Sequence, residues 1–505
     1  MKPDILFIHP NSSSAVYQKL AYAYSAIEPP IWAALLTQHC LKAGFRAEIL
    51  DAEAYDLKLS DVAFFVKDVK PKYTCFVVYG QQPSASTQNM HGAVEEAVSV
   101  HHVYPETQII FVGGHVSALP LETMQKHKEI DMCCTNEGVN TIIDILKGTP
   151  IHNIDGLAYR DDRGKTVITK PAVLADMKYF QGMPWDKLPM EKYRTALWHA
   201  FPNRAVRKPF ASLYTSLGCP FACSFCMINS PFGGSSFRYW EPSVIIREFE
   251  ELAKREITNI KIADEMFVLN PNHFMKVCEL IIERGYKFNI WCYARVDTVK
   301  EQYLETLKKA GVNYLALGIE SANNAVKHDV AKTNKVDPRL VVSQIQNAGI
   351  HVAANYIFGL PKDTLETMQE TLNLAMGLNT EMANFYSCMA YPGSALYKKA
   401  KDMGWELPSS YIGYSQHSYE CQPLPTEFIS ASQVLEFRDM AWRTYHTNPS
   451  YLEMIESKFG QYEREQIEKT TKIELKRRLL DGGIKRVDEG CGEGSRICST
   501  DRGAN

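Results

Sequence analysis

Short apolar runs alternate with helix-like segments in two separate series along this chain of 505 residues. In the first series, the pattern predicts helices near residues 30–43, 85–103 and 118–127. The strands predicted around them are Ile5–His9, Ala47–Asp51, Cys75–Tyr79, Gln108–Val112 and Asp131–Thr135. This βα order predicts a doubly wound, Rossmann-like parallel sheet, whose ligand site lies at the carboxyl ends of the strands.

The second series begins at Ser212 and contains six βα units. Its later strands are predicted at residues 259–263, 288–293, 314–318, 351–358 and 383–389. Successive units of this kind predict a partial (β/α)6 TIM-like barrel, in which functional residues gather at the carboxyl ends of the strands. The overall fold class is therefore α/β.

The stretch between the two series lacks a sustained period and is interrupted by prolines, which indicates a linker with a hairpin near residues 155–168. Beyond residue 400, polar helices are expected, and a Gly-rich, charged tail follows. The expected domains are a first domain at 1–146, a linker at 147–205, a barrel at 206–400, a mostly helical region at 401–487 and a disordered tail at 488–505.

Composition and the amino terminus indicate which partners the protein is expected to have and where in the cell it is expected to lie. The formal charge of −3 gives no electrostatic argument for nucleic acid as a partner. No stretch approaches the roughly 18 continuous apolar residues of a transmembrane helix, so no transmembrane segment is expected. The amino terminus carries Asp4 and leads directly into a strand, unlike a secretory signal. The thirteen cysteines then indicate reduced thiols and a cytoplasmic location.

Three cysteines with CxxxCxxC spacing, Cys219, Cys223 and Cys226, follow the first strand of the second series. Three thiolates in one short loop suit three corners of a cubane iron–sulfur cluster and leave the fourth iron without a protein ligand. A structural zinc site is an alternative, although zinc normally takes four ligands and no second CxxC or HxxxH pair follows. Buried free thiols are the other alternative, and they account for most of the remaining cysteines. Cys491 and Cys498 lie in the tail, and their role stays open.

The triplet, with Phe225 directly before its last cysteine, resembles the signature of the radical S-adenosylmethionine (radical SAM) superfamily. The stretch from Leu217 to Cys223 resembles the form found in its cobalamin-dependent members. This resemblance implies that the three cysteines hold a [4Fe-4S] cluster, whose open iron binds S-adenosyl-L-methionine. An electron from the cluster, supplied by an external donor of the flavodoxin or ferredoxin type, would cleave SAM to methionine and a 5′-deoxyadenosyl radical.

The resemblance also implies SAM-binding residues at the ends of the barrel strands. Asp264 or Glu265 would hold the amino group of SAM, and Arg295 would grip its carboxylate. The other SAM-binding residues that the resemblance implies are Phe225, then Glu320 and Ser321 for the ribose and methionine portion, and Asn355 and Gly359 beside the adenine.

The turns of the first series resemble the cobalamin-binding domain that precedes the radical SAM domain in this subfamily, over roughly the first 145 residues. The DxHxxG motif of other corrinoid proteins is absent, so the lower axial ligand of cobalt is not predicted. The implied cobalamin contacts are Asn11, Ser12, Gly80, Gln81, Gly113, Gly114, His115, Glu137 and Gly138.

The resemblance therefore implies a methyltransferase that moves a methyl group from SAM, through methylcobalamin, to an unactivated carbon or phosphorus of a small metabolite. The alternative is an oxidative cyclase or another non-methylating radical reaction, because residues 9–11 and 29–32 also resemble the anaerobic cyclase of bacteriochlorophyll synthesis. A noncatalytic cobalamin- or metal-binding protein is a third hypothesis. No individual residue is assigned a catalytic role at this stage.

Overall fold

The computed structural model describes residues 2–23, 25–80, 85–196, 207–333 and 335–481. Its strands are β1 (Ile5–His9), β2 (Ala47–Asp51), β3 (Tyr73–Val78), β4 (Gln108–Gly113), β5 (Met132–Cys134), β6 (Leu157–Arg160), β7 (Thr166–Ile168), β8 (Phe210–Leu213), β9 (Ser216–Leu217), β10 (Arg238–Tyr239), β11 (Asn259–Ile262), β12 (Asn289–Arg295), β13 (Val312–Glu320), β14 (His351–Phe358) and β15 (Met382–Ser387).

The helices are α1 (Ser13–Tyr17), α2 (Leu20–Ala23), α3 (Ile31–Lys42), α4 (Leu59–Val69), α5 (Ser86–Val103), α6 (Gly114–Ala118), α7 (Pro120–Lys126), α8 (Val139–Leu146), α9 (Pro242–Lys254), α10 (Pro271–Glu283), α11 (Glu301–Lys309), α12 (Asn324–Asp329), α13 (Pro338–Asn347), α14 (Leu365–Leu378), α15 (Ala395–Asp402), α16 (Ala431–His446), α17 (Pro449–Phe459), α18 (Gln461–Thr471) and α19 (Arg478–Asp481). None of the helices in the described ranges is long and apolar enough to cross a membrane.

The first sheet has the strand order β2-β1-β3-β4-β5-β6-β7, and its first five strands are parallel. Side chains alternate between its two faces, as the period of a strand requires. Ile5 and Phe7 belong to the core that includes α3 and α8, whereas Leu6 and Ile8 belong to the core that includes α4 and α5. The doubly wound prediction is thus confirmed, with the chain changing direction between β1 and β3, where such folds bind ligands.

The predicted boundary at residue 146 does not coincide with the end of this sheet. The hairpin β6–β7 lies within the predicted linker, yet β6 pairs with β5 in an antiparallel register, Cys133 opposite Ala158. Because β5 would otherwise be an open edge of the sheet, the hairpin extends it instead of forming a separate connector. The sequence also left α4 and α8 unpredicted.

The second sheet holds six parallel strands in the order β15-β14-β13-β12-β11-β8. Neighbours in space follow the order of the chain, and helices connect them, as in an incomplete (β/α)6 barrel. The carboxyl-terminal helices complete the structure. Phe437 of α16 contacts Phe358 of β14 with ring centroids 5.0 Å apart, so this helix packs against the last strands of the sheet. The predicted tail at 488–505, with Cys491 and Cys498, lies outside the described residues.

Candidate active site

A cavity of ≈ 870 Å³ runs along the inside of the barrel from the strand starts, at Phe210 and Met382, to the carboxyl ends. Most of its lining comes from three parts of the chain: residues of the segment 17–28, the barrel strands with the cysteine loop, and residues of the helices and connections from 416 to 481. Cys219, Cys223 and Cys226 all lie on its wall. The three thiols of the predicted triplet therefore share one internal space with the strand ends.

The residue at the start of the cysteine loop has a backbone conformation and a close contact that require glycine. Gly218 has φ +84°, and a Cβ there would lie 2.6 Å from the carbonyl oxygen of Ser236. The Gly218 N–H donates to Oε2 of Glu265 at 3.1 Å, and the Cys226 N–H donates to the carbonyl of Cys223 at 3.0 Å. These contacts hold the loop against the end of β11.

The donor set of this loop fits an iron–sulfur cluster. Burial raises the pKa of all three thiols, that of Cys226 to about 12, and the other two thiolates add to the effect at Cys226. Thiols of this kind become thiolates when a metal binds them. Within the described ranges no three His, Cys, Asp or Glu side chains lie close enough to bind one metal ion. A cubane cluster takes each thiolate on a different iron and so accepts a wider spread.

Two cations lie beside the thiols, and each is already paired with a carboxylate. The Arg295 guanidinium donates to both oxygens of Asp297, at 2.9 and 3.0 Å, and stacks 3.9 Å from the centroid of the Phe221 ring. Nζ of Lys332 lies 2.8 Å from Oε1 of Glu320. Burial raises the pKa of Cys223, and both cations oppose that rise, because positive charge favours the thiolate.

Lys332 was not predicted from the sequence. It follows α12 instead of a strand, so the strand-end pattern does not include it. Its partner Glu320 has φ +65°, and the pairing register shifts between Gly318 and Glu320. A Cβ on Gly318 would lie 2.5 Å from Oε1 of Glu320 and 3.0 Å from Nζ of Lys332. The missing side chain of Gly318 and the left-handed backbone of Glu320 together leave the space that this buried ion pair occupies.

The two predicted carboxylates after β11 have different environments. Asp264 accepts hydrogen bonds from the Thr215 N–H and hydroxyl and from the Ser216 hydroxyl, each at 2.6 Å, and is not among the residues on the cavity wall. These bonds hold Asp264 to β9 and to the residue before it, and its predicted contact with SAM stays a prediction. Glu265 does line the cavity. Burial, with a smaller effect of Asp264, raises the pKa of Glu265 to about 8, so its carboxyl is largely protonated at neutral pH.

Of four further residues predicted to bind SAM, two line the cavity and two do not. Phe225 and Asn355 line the cavity, and Oδ1 of Asn355 accepts from Nδ2 of Asn384 at 3.0 Å. Ser321 does not line it, because its hydroxyl lies 3.2 Å from that of Thr371 and accepts from a backbone N–H at 3.1 Å. Gly359 does not line it either. A Cβ at Gly359 would lie 2.4 Å from Cγ1 of Val434, so helix packing explains this glycine.

Two of the predicted cobalamin contacts approach the cysteine loop. Gly80 and Gly114 line a small crevice together with Met227, which directly follows the last cysteine of the triplet. A Cβ on Gly114 would lie 2.6 Å from Cε of Met227. The indole of Trp32 stacks on the ring of Tyr79 across the same crevice, with centroids 4.4 Å apart. The ligand edge of the first sheet therefore adjoins the cysteine loop.

The other predicted contacts near β1 and β3 hold the first sheet to its helices. Asn11 donates its backbone N–H to Glu96 at 2.9 Å. Ser12 accepts from the Gly92 N–H at 3.0 Å. Gly113 passes so close to β3 that a Cβ would lie 2.2 Å from the Val78 carbonyl oxygen. Gln81 lies outside the described residues.

The remaining predicted contacts follow β4 and β5. Burial lowers the pKa of His115 to about 3, so its ring is neutral where Nδ1 meets the Thr87 hydroxyl at 3.2 Å. Glu137 accepts from Nη2 of Arg238 at 2.6 Å. Gly138, with φ +79°, begins α8. None of the first-sheet positions predicted for cobalamin within the described ranges lies on the wall of the large cavity.

A buried ion pair that sequence patterns do not reveal joins the first domain to the barrel. Nζ of Lys261 on β11 lies 3.0 Å from each carboxylate oxygen of Glu28, which also accepts from the Ser212 hydroxyl at 3.1 Å. Although burial opposes it, the Glu28 carboxylate helps to hold the pKa of Lys261 above its usual value. Glu28 and Lys261 both line the cavity, so the segment before α3 forms part of its wall.

Comparisons with known proteins agree with this geometry. The model of the radical SAM superfamily matches residues 213–375. The uncharacterized methyltransferase PH0819 of Pyrococcus horikoshii is 28% identical over 408 residues, which cover 78% of this chain and 83% of that protein. The anaerobic magnesium-protoporphyrin IX monomethyl ester cyclase of Rubrivivax gelatinosus is 24% identical over 470 residues, which cover 89% of this chain and 78% of that protein.

Among solved structures, the chain is similar to the radical S-adenosylmethionine methyltransferase TsrM from Kitasatospora setae, determined with cobalamin and a [4Fe-4S] cluster bound. The TM-score is 0.66 at 16% identity, and the match covers 89% of this chain and 90% of that one. The fold described above, a first α/β domain followed by a partial barrel and a carboxyl-terminal helical region, is thus a known arrangement.

Proposed function

We propose that this chain, whose residues 213–375 match the radical SAM superfamily, is a cobalamin-dependent radical SAM methyltransferase acting on a small molecule. The observation that carries the proposal is the position of Cys219, Cys223 and Cys226 on the wall of one large barrel cavity. A [4Fe-4S] cluster held there would supply the electron that cleaves SAM, and cobalamin would carry the methyl group.

Residues on the cavity wall near the thiols suit the zwitterionic end of SAM. Protonated Glu265 offers a hydrogen-bond donor without adding charge, and Glu320 and Asn355 offer acceptor oxygens. We propose that Arg295, fixed by Asp297 and stacked on Phe221, orients the cysteine loop and supplies positive charge beside it. Lys332 adds a second positive charge, which favours the thiolate form that a metal cluster requires.

Cobalamin fits the junction between the two domains. The strand order places the ligand edge of the first sheet at β1 and β3, and residues Gly80 and Gly114 at that edge adjoin the cysteine loop. Tyr17, Leu20, Ser25, Ala26 and Glu28, which follow β1, line the barrel cavity. A large planar cofactor held by the first domain would therefore face the barrel interior, where a small substrate can meet both cofactors.

A second candidate function is radical cyclisation without methyl transfer. The cyclase of Rubrivivax gelatinosus aligns with 89% of this chain, a larger share than the methyltransferase of Pyrococcus horikoshii, although its identity is lower. We favour methyl transfer because the relative with the higher identity is named a methyltransferase. In either case we propose a reductant of the flavodoxin or ferredoxin type in the cytoplasm, where thiols stay reduced.

The test is anaerobic turnover of SAM by the full chain reconstituted with iron, sulfide and cobalamin, followed by mass spectrometry. The variant carries Cys219→Ala, Cys223→Ala and Cys226→Ala, and the matched control is Cys278→Ala, which removes a buried thiol from α10. We expect 5′-deoxyadenosine and S-adenosylhomocysteine from the wild type and the control and neither product from the triple variant. Formation of 5′-deoxyadenosine alone, also with candidate substrates, would favour the cyclase, and absence of both products from cluster-loaded protein would refute radical catalysis.

A further inference from the structure

Two buried arginines and one partly exposed aspartate form a cluster on the wall of the large cavity, away from the cysteine loop in sequence. Arg438 and Asp439 lie on α16, and Arg477 precedes α19. The side chains of Arg438 and Arg477 are only 8% and 3% exposed. We call these three residues the Arg438 cluster.

The two guanidinium groups share one carboxylate. Nη1 of Arg438 donates to Oδ1 of Asp439 at 2.6 Å, and Arg477 donates through Nε and Nη2 to its two oxygens at 2.9 and 3.0 Å. Burial alone would raise the pKa of Asp439, but the two guanidinium groups lower it, so the carboxylate is ionised. The cluster therefore carries one net positive charge. Proteins rarely bury an uncompensated charge, because its desolvation is costly.

The two arginines differ in how many donors they have used. Nη1 of Arg477 also donates to the carbonyls of Gln416 and Ser418, at 2.9 and 3.1 Å, so this residue anchors the chain beyond α18. Arg438 donates through Nε to the Phe385 carbonyl at 2.7 Å. Its Nη2 makes no hydrogen bond within the described part of the chain. Arg438, which lies on the cavity wall, therefore keeps unpaired N–H donors next to the excess positive charge of the cluster.

His417, another residue that lines the cavity, also has a polar atom without a partner within the described ranges. Nδ1 of His417 is buried and has no hydrogen-bond partner among the residues that the structure describes. Burial, together with Arg438 and Arg477, lowers the pKa of His417 to about 3, so its ring is a neutral donor or acceptor. Buried polar groups in native proteins almost always have partners. The unpaired Nη2 of Arg438, a residue of the cavity wall, therefore indicates that a ligand supplies its hydrogen-bond partner.

We propose that the Arg438 cluster binds a carboxylate group of the substrate, which deepens the proposed function and rests on it for the identity of the cavity. One net positive charge matches one carboxylate, whereas a phosphate dianion would leave a buried negative charge uncompensated. The planar fork of a guanidinium also fits the two oxygens of a carboxylate.

The position of Tyr386 relates this subsite to the reactive end of the cavity. Its ring lines the cavity at the end of β15. Burial raises the pKa of Tyr386, Glu320 adds to that rise, and Arg438 opposes it. Tyr386 shares the cavity wall with Glu320, the carboxylate of the ion pair beside the cysteines, and with Arg438. A small molecule held by its carboxylate at Arg438 would extend along Tyr386 toward the cysteine loop.

The experiment is calorimetric titration of the reconstituted full chain with three probes of similar shape: phenylbutanoate, its uncharged amide, and phenyl phosphate. We expect the carboxylate to bind about tenfold more tightly than the amide, the usual effect of a charge-assisted hydrogen bond. Arg438→Gln should remove this preference. The control Arg443→Gln removes one positive charge from the rim of the same cavity, where Arg443 is 57% exposed and lies 3.6 Å from Glu474, and should keep the preference.

The measurement on the wild type is enough to overturn the proposal, if carboxylate and amide bind with equal affinity or if neither binds at millimolar concentration. A preference that survives Arg438→Gln, or that Arg443→Gln removes as well, would overturn it too, and tighter binding of phenyl phosphate would refute the charge match. Arg438→Lys keeps the charge and a donor for the Phe385 carbonyl, so a retained preference in this variant supports the cluster even if the glutamine variant does not fold. Because binding needs no SAM cleavage, failure here is distinct from failure of the methyltransferase proposal.

Discussion

Replacing Gly359 with alanine adds a methyl group at a position where the sequence implies the adenine of SAM and the structure places a helix. Gly359 follows β14 with φ +80°. The new Cβ would lie 2.4 Å from Cγ1 and 2.9 Å from Cγ2 of Val434, which is fully buried on α16. The substitution therefore strains the backbone and overpacks the contact between β14 and α16.

The two effects have separate magnitudes. A left-handed conformation costs a residue with a Cβ about 1–2 kcal/mol. Overpacking of a buried contact costs about 1–3 kcal/mol. Together we expect the free energy of unfolding to fall by about 3 kcal/mol. With a urea dependence of about 3 kcal/mol per molar for a domain of this size, the midpoint of urea denaturation should fall by about 1 M.

A double-mutant cycle with Val434→Ala distinguishes the two effects. In Gly359→Ala/Val434→Ala the overpacking is relieved but the backbone strain persists, so we expect a favourable coupling of about 1–3 kcal/mol. The assay is urea denaturation followed by tryptophan fluorescence, with SAM affinity measured in parallel. If Gly359→Ala leaves the midpoint unchanged and weakens SAM binding instead, the glycine serves the adenine and the packing argument is wrong.

Two further predictions concern buried charges. Lys332→Met leaves Glu320 buried without its partner and should lower the free energy of unfolding by about 3–5 kcal/mol, measured by urea denaturation. Lys332→Met/Glu320→Gln should lower it clearly less, and equal midpoints for the two variants would contradict the pairing. Burial raises the pKa of Glu96 from 4.5 to about 8, so the folded chain holds a proton that the unfolded chain releases, and the free energy of unfolding should fall as pH rises across that window. Glu96→Gln should flatten this dependence in urea denaturation, and an unchanged slope would refute it.

Features that depend on nearby residues were predictable from the sequence. The spacing of Cys219, Cys223 and Cys226 confines three thiols to one loop whatever the rest of the chain does. The βα periodicity likewise predicted two parallel sheets, because each strand must bury its apolar residues against the following helix, and the structure confirms this fold class. Single positions after the strands were less predictable. Asp264 and Glu265 are adjacent, and which of them faces the cavity depends on the direction of one peptide at the end of β11.

Contacts between residues far apart in the chain were decided by the tertiary structure alone. Glu28 meets Lys261, and Arg438 shares Asp439 with Arg477, only because the domains and helices pack in one particular arrangement. A lysine or an arginine in a sequence has no signal that distinguishes a solvated surface charge from a buried one. The sequence by itself thus determined the fold class and the loop that holds the thiols. The packing of distant segments decided which charges line the cavity, since burial and pairing are properties of the whole chain.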